Sequence, residues 1–384
     1  MTLQNIFRKK GKIDTRLHRD NRCQIVLTNS YRDICYVACK ECYKGKLVSD
    51  IEAKNRYIQG KVKLGHESII EHSNVVMMLN LNTDLLQDLA YMLSYNRFLT
   101  CDIEMRDDEI ILLIGGSILG FKQLIRRIPE LSNNVLRLII GCLYELDPSF
   151  FYDLIEDEIM DANSFVPTEV PECNKVESEY DKVEYIHMDN INQLYENTNH
   201  IFSYKRLLKF ISITVYFKEV SRIISQQITR HRNAISQKSQ RYVDEGEAKF
   251  LSPVQFRENK SELKINWAGE EWNSQELGEF MVTAYNSCKE AGMLKEEARS
   301  YLPNNVASSL FMTFKGDTFV HFIKMRNDSH AQSEIRYFGK EFERMFNKHI
   351  LPYMNDVIDC RELIEPLYKS KQENFSNIDE VIED

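Results

Sequence analysis

The chain has 384 residues, 43% of them apolar, and a formal net charge of −9. That is enough apolar material for a buried core, and the negative balance excludes a general nucleic-acid or membrane-surface binder unless positive charge is concentrated locally. The longest apolar run, Ile110 to Phe121, is too short to cross a bilayer, and the first residues lack the apolar stretch of a secretion signal, so a cytoplasmic location is expected.

Residues 1–25 read as a flexible basic arm, since the first 22 carry seven Lys or Arg against two Asp. From Asn29 a helical face runs through Ile34, Val37 and Ala38 to Cys42, and a second helix is predicted to begin near Asp50. Nine cysteines, scattered and odd in number, suit a reducing compartment. Cys35, Cys39 and Cys42 share one helical face, as metal ligands or as small core residues. HESIIEH at 66–72 reads as a short helix, followed by a buried strand, VVMMLNL. Its two histidines lie about 240° apart on a helix and cannot jointly hold a metal; His66 and Ser68 either line a cleft or cap the helix. Residues 83–205 carry leucine-rich helical segments and an all-apolar LIIGCLYEL, and end in a polar stretch containing prolines. They are expected to form a mostly helical insertion. No internal repeat stands out, beyond a faint echo of TRHRNAIS in SYNRFLT.

A second strand, LKFISITVYF, leads into QQITRHRNAISQKSQRYV at 226–243. The helix before it is fixed by an apolar face of Val220, Ile223, Ile224 and Ile228, and Gln227 lies one helical step before Arg230 and His231. Asn233 is a plausible turn residue that would fold Ser239 and Arg241 back toward Arg230. Guanidiniums, amides and a hydroxyl with no acid among them suit a phosphate or diphosphate. The same residues also suit a solvated basic helix end. Further on, Phe319, Phe322 and Ile323 form an apolar stripe that Arg326 and His330 continue, so a buried Arg326 needs either a carboxylate such as Glu297 or an anionic ligand. Arg299 sits in EEARSYLP, where Pro303 ends the helix. Neither a nucleophile elbow nor a glycine-rich phosphate loop is present, so side chains must hold any phosphate.

Taken together, RHR at 230–232 with Ser239 and Arg241, HESIIEH, VSRIISQQITRHR, EEARSYLP and MRNDSHAQSEIR resemble the flavin-dependent thymidylate synthase family, over roughly residues 26–82 and 206–350. The resemblance implies reductive methylation of dUMP to dTMP, with methylenetetrahydrofolate as carbon donor, NADPH as reductant, FAD as hydride carrier and no enzymic cysteine nucleophile. It implies that Arg326 stabilises negative charge on the uracil, and that Gln227, Arg230, Gln237, Ser239, Arg241 and Arg299 hold the nucleotide. His66, Ser68, Arg230, His231, Arg232, Gln237 and His321 would hold FAD. Two departures stand out: the spacer between Arg232 and Ser239 is one residue shorter than usual, and Lys315, Asp317 and His321 replace the family's usual Asn, Arg and Asn. The expected architecture is α/β (α+β), a central mixed or antiparallel sheet flanked by helices. Residues 26–82 and 206–355 would form the catalytic domain, 83–205 the insertion and 356–384 an acidic tail, in a homotetramer with shared active sites. Nucleotide and folate are the expected partners, without membrane or nucleic acid. The alternatives are a flavoenzyme acting on another pyrimidine nucleotide, or a non-catalytic nucleotide- or nucleic-acid-binding protein.

Overall fold

The computed structural model describes residues 21–106, 108–128, 133–147, 178, 180–256 and 264–354. Most of the expected basic arm, most of the proline-containing stretch and the acidic tail lie outside the described residues. Strands β1 (Arg22–Thr28), β2 (Val75–Asn82), β3 (Thr100–Arg106) and β4 (Glu109–Gly116) pair antiparallel in the order β1-β2-β4-β3. The central strands β2 and β4 are buried along nearly their whole length, which requires their unbroken apolar sequences, VVMMLNLN and EIILLIGG. Edge strand β3, TCDIEMR, carries the charges that discourage further pairing.

Helices α1 (Tyr31–Tyr43) and α2 (Ile51–Lys63), then a 3-10 segment (Glu67–His72), connect β1 to β2. The predicted start of α2 is confirmed by Asp50, whose side chain accepts from the Ala53 N–H. Helix α3 (Leu86–Tyr95) precedes β3, and α4 (Ile118–Arg127) and α5 (Asn134–Leu146) follow β4. Close packing at the end of β4 explains its glycines, because a Cβ on Gly116 would fall 2.6 Å from Leu99 Cδ2.

A second sheet has the order β5-β6-β10-β7, built from β5 (Val183–Met188), β6 (Ser212–Ser221), β7 (Ala234–Gln237) and β10 (Ala307–Lys315). Short helices α6 (Ile191–Asn197) and α7 (Tyr204–Leu207) lie between β5 and β6, and α8 (Arg222–Ile228) leads from β6 toward β7. A hairpin of β8 (Ile265–Trp267) and β9 (Glu270–Trp272), with α9 (Ser274–Glu290) and α10 (Lys295–Ala298), comes between β7 and β10. Helices α11 (Gly316–Arg326) and α12 (Ser333–His349) follow β10. Phe342 of α12 joins them to the sheet, its ring centroid 4.8 Å from Phe319 and 5.6 Å from Phe314.

The α+β class is as expected, but two four-stranded sheets replace a single central one. The stretch expected as a mostly helical insertion, 83–205, has more helix than strand among its described residues, and it also supplies β3 and β4 to the first sheet and β5 to the second. Contacts divide the chain into two compact units, one of residues 1–37, 48–174 and 187–212, the other of 38–47, 175–186 and 213–384.

The first unit is locked by a buried polar network. Asp189 Oδ2 accepts from Asn74 Nδ2 at 3.0 Å and from the N–H and Oγ of Ser212 at 2.6 and 2.7 Å, while Asp189 Oδ1 lies 2.6 Å from His187 Nε2. Burial alone would raise the Asp189 pKa, but His187 and these hydrogen bonds hold it below the usual carboxylate range. Asp189→Ala is expected to cost about 3–5 kcal/mol in chemical unfolding, because it strands buried donors; a loss below 1 kcal/mol contradicts the structural role. Burial also lowers the His72 pKa from 6.5 to about 3. The unfolded chain therefore takes up the proton first, and the urea midpoint should fall as pH drops from about 6.5 toward 3.

Candidate anion-binding site

The RHR turn is set by the way α8 begins and ends. Ser221 at the end of β6 caps α8 through its Oγ, which accepts from the Ile224 N–H at 3.2 Å, and Ile224 and Ile228 bury the inner face. The chain continues through a 3-10 turn, Thr229–His231, to Arg232, which adopts the left-handed conformation (φ 42°, ψ 48°). A non-glycine residue there costs about 1–2 kcal/mol. Asn233 compensates: its Nδ2 donates to the His231 carbonyl at 2.7 Å, and its Oδ1 accepts from Thr318 Oγ1 at 2.8 Å. The helix therefore stops abruptly, and β7 starts at Ala234.

At the other end of the site, Arg326 is the last residue of α11 and is half-buried. Its Nε donates to His231 Nε2 at 2.8 Å, and its Nη2 to the Gln227 carbonyl at 3.4 Å. Burial, then the charge of Arg230, push the Arg326 pKa down. Burial, then Arg326, then His321, push His231 down to about 4, so its imidazole is neutral at physiological pH and can accept from Arg326. Gly339 of α12 permits this placement, since a Cβ there would lie 2.9 Å from the carbonyl carbon of Arg326. Sequence reading passed over Gly339, as it does most helix-interior glycines.

The expected cluster contracts in the fold. Lys238 meets the buried Glu245 at 2.7 Å, and Arg241 meets Glu296 at 2.9 Å. The carboxylates absent from the local stretch therefore arrive from outside it. Arg299 donates through Nε to the Glu296 carbonyl at 3.0 Å. Ser239 Oγ closes its own turn by accepting from the Arg241 N–H at 3.3 Å, which leaves its hydroxyl proton to donate. Gln237 Nε2 donates to Ser308 Oγ at 3.2 Å, and Gln227 Nε2 to Gln332 Oε1 at 2.6 Å. Arg230, Arg232 and Arg326 have no carboxylate partner among the described residues; Arg230 lies close enough to Arg326 to lower its pKa, and the His231 ring centroid is 5.9 Å from that of His321, which in turn feels the charge of Asp317.

Two further expectations on this stripe are corrected. The helical pattern breaks after Arg326, so the His330 side chain is 94% exposed and paired with Asp328 rather than facing the core. Glu297 caps its own helix by accepting from the Leu294 N–H, and is not the partner of Arg326. A residue that sequence reading missed is Arg222, at the first position of α8. Burial, then Glu245 in opposition, then the charge of Arg299, act on it, with a lowered pKa as the outcome. A cation facing the positive end of a helix dipole was the available signal.

His66 and Ser68 belong to the other unit; both are exposed, and His66 makes no side-chain capping bond. Cys35 and Cys39 are core residues, and no group of His, Cys, Asp or Glu arranged for a metal occurs among the described residues. Cys42 does come beside the site stretch, its carbonyl accepting from the Ser239 N–H at 3.1 Å. Burial raises its thiol pKa, which is the opposite of an activated nucleophile. A cavity of about 270 Å³, lined by Ser221, Ile223, Asn305, Gln332 and Glu334 among others, reaches Gln227 through its partner Gln332.

Residues 167–352 match the family model described as thymidylate synthase complementing protein. A flavin-dependent thymidylate synthase of Corynebacterium efficiens is 30% identical over 138 residues, covering 34% of this chain and 55% of the relative. The corresponding protein of Corynebacterium glutamicum is 31% identical over the same shares, and that of Thermococcus kodakarensis 30% identical over 140 residues, 35% of this chain and 54% of the relative. The chain thus spans about half the length of the curated relatives it matches. The resemblance read from the sequence holds over this part of the chain, while His66 and Ser68 fall outside the matched residues.

The His231–Arg326 contact makes a prediction of definite sign. In Arg326→Ala the His231 ring, followed by NMR, should titrate above the value near 4, since a cation favouring its neutral form is gone; an unmoved titration contradicts the contact.

Proposed function

We propose that residues 167–352 carry the nucleotide-binding and catalytic machinery of a flavin-dependent thymidylate synthase, converting dUMP to dTMP with methylenetetrahydrofolate and NADPH. The observation that carries this reading is the half-buried Arg326, which lies within the field of Arg230, rests against a neutral imidazole and has no carboxylate partner among the described residues. A guanidinium disfavoured by burial and by a neighbouring cation is stabilised by an anion placed beside it, and a ligand must bring it.

In this reading Gln227, Arg230, Gln237, Ser239, Arg241 and Arg299 hold the nucleotide. Arg241 is held by the Glu296 carboxylate and Arg299 by the Glu296 backbone carbonyl, so a phosphate on Arg241 would compete with that carboxylate. Arg326 would stabilise the negative charge that develops at the uracil N3 edge, with burial strengthening the effect. The donor set also fits FAD: Arg232, exposed at its left-handed turn, and the neutral His231 and His321 offer hydrogen bonds and charge to a diphosphate. Bound flavin would supply hydride transfer. His66 and Ser68 are assigned to the same cofactor, in a homotetramer with shared sites. Lys315, Asp317 and His321 in place of Asn, Arg and Asn make the remaining flavin contacts particular to this chain.

Purified protein loaded with FAD should show a flavin absorbance that bleaches with NADPH and dUMP, and should form dTMP. Protein that cannot be loaded with FAD contradicts the proposal. Arg326→Ala should keep the flavin yet lower turnover by about 100-fold or more; near-normal turnover removes Arg326 from the chemistry.

A further inference from the structure

The two sheets repeat one another. Each takes its strands in the order first, second, fourth, third, as β1-β2-β4-β3 and β5-β6-β10-β7. In each, helical segments ending in a 3-10 turn (Glu67–His72; Leu208–Phe210) separate the first strand from the second. One helix, α3 or α8, then leads toward the third strand, and another, α4 or α11, follows the last.

Hydrogen bonds recur at the same steps. Asn29, just after β1, donates its backbone N–H to the Asn74 carbonyl at 3.1 Å; Asp189, just after β5, does the same to Ser212 at 3.0 Å. In return the Asn74 N–H reaches Asn29 Oδ1 at 2.9 Å, and the Ser212 N–H reaches Asp189 Oδ2 at 2.6 Å. The register recurs as well. The first residue of the third strand, Thr100 or Ala234, pairs with the residue two before a helix cap, Gly115 before Ser117 or Thr313 before Lys315. The preceding residue then meets the third residue after that cap. Asn233 bonds Thr318 in one case, and in the other Leu99 packs on Gly120, where a Cβ would lie 3.0 Å from Leu99 Cδ2.

We propose that residues 22–128 and 183–326 are two copies of one folding unit, and that only the second copy keeps an anion site. By this register Asn96, Arg97 and Phe98 stand where the second copy has Arg230, His231 and Arg232. Counting equally far from the helix cap places buried Ile128 where the second copy has Arg326. Asn96 closes the turn on itself, its Oδ1 accepting from the Leu99 N–H at 3.0 Å, and Arg97 donates to the Ser94 and Asn96 carbonyls. Phe98 lies under Arg127, 4.8 Å from the guanidinium carbon. Conversely, the equivalence of Asn74 with Ser212 sets His66 and Ser68 against Tyr204 and Arg206, and Arg206 is bound to Asp102 and Glu104. None of these positions carries the same residue type at its equivalent place in the other copy. The family match, residues 167–352, accordingly takes in the second copy and none of the first.

The single site rests on the nucleotide reading above, whereas the duplication does not. Titration of the full chain with dUMP should saturate at one nucleotide per chain, and Arg97→Ala should leave the affinity unchanged. Saturation at two per chain, or an affinity loss of about tenfold or more in Arg97→Ala, overturns the single-site claim. A crystal structure of the full chain decides the duplication without any ligand: strand-for-strand superposition in the register given supports it, and failure to superimpose overturns it even if dUMP binds. If the copies superimpose and dUMP does not bind, the duplication stands and the nucleotide reading falls.

Discussion

The contact on which the site depends is the hydrogen bond from Arg326 Nε to His231 Nε2. It requires a neutral imidazole, and the protein provides one by burying His231 beside a guanidinium and a second histidine. The arrangement disposes of one positive charge by keeping it from forming, and leaves the others uncancelled. Its geometry is over-determined from three directions: the cap at Ser221 starts α8, the Asn233–Thr318 bond ends it, and Gly339 lets the backbone of Arg326 come close. None of these residues is charged. They set the positions of groups that repel one another, as a site must whose stabilising partner comes from solution.

Much of this was legible in the chain. The α1 and α2 helices, the cap at Asp50 and the strands β2 and β6 follow from apolar period and capping chemistry. The Ile110–Phe121 run is apolar at every period, so its division into β4 and α4 cannot be read from periodicity. The glycines Gly115 and Gly116 were the available clue, because they mark the place where another side chain presses on the strand end. In the same way, His330 falls on the apolar stripe by spacing, yet the Asn327–Gln332 break turns it to solvent.

The charge count failed for a different reason. Glu245 lies just beyond the basic stretch and Glu296 far along the chain, so no local window shows that Lys238 and Arg241 are paired. Arg230, Arg232 and Arg326 stay outside such pairs among the described residues, and of these Arg230 and Arg326 lie within reach of one another's charge. The proposed duplication is hard to read in the sequence because the two copies differ at the site positions. With Phe98, Leu99 and Ile128 where the second copy has Arg232, Asn233 and Arg326, only the faint echo of TRHRNAIS in SYNRFLT is left in the sequence, while strand order, register and the paired Asn29 and Asp189 bonds persist.

In the proposed function a ligand anion completes the site around the half-buried Arg326. The direct measurement is the NMR titration of the His231 ring with and without saturating dUMP. An anion between Arg230 and Arg326 offsets their field, so the His231 pKa should rise from its value near 4 when dUMP is bound. A His231 titration that stays the same at saturating dUMP would show that the nucleotide binds elsewhere, and would contradict the account.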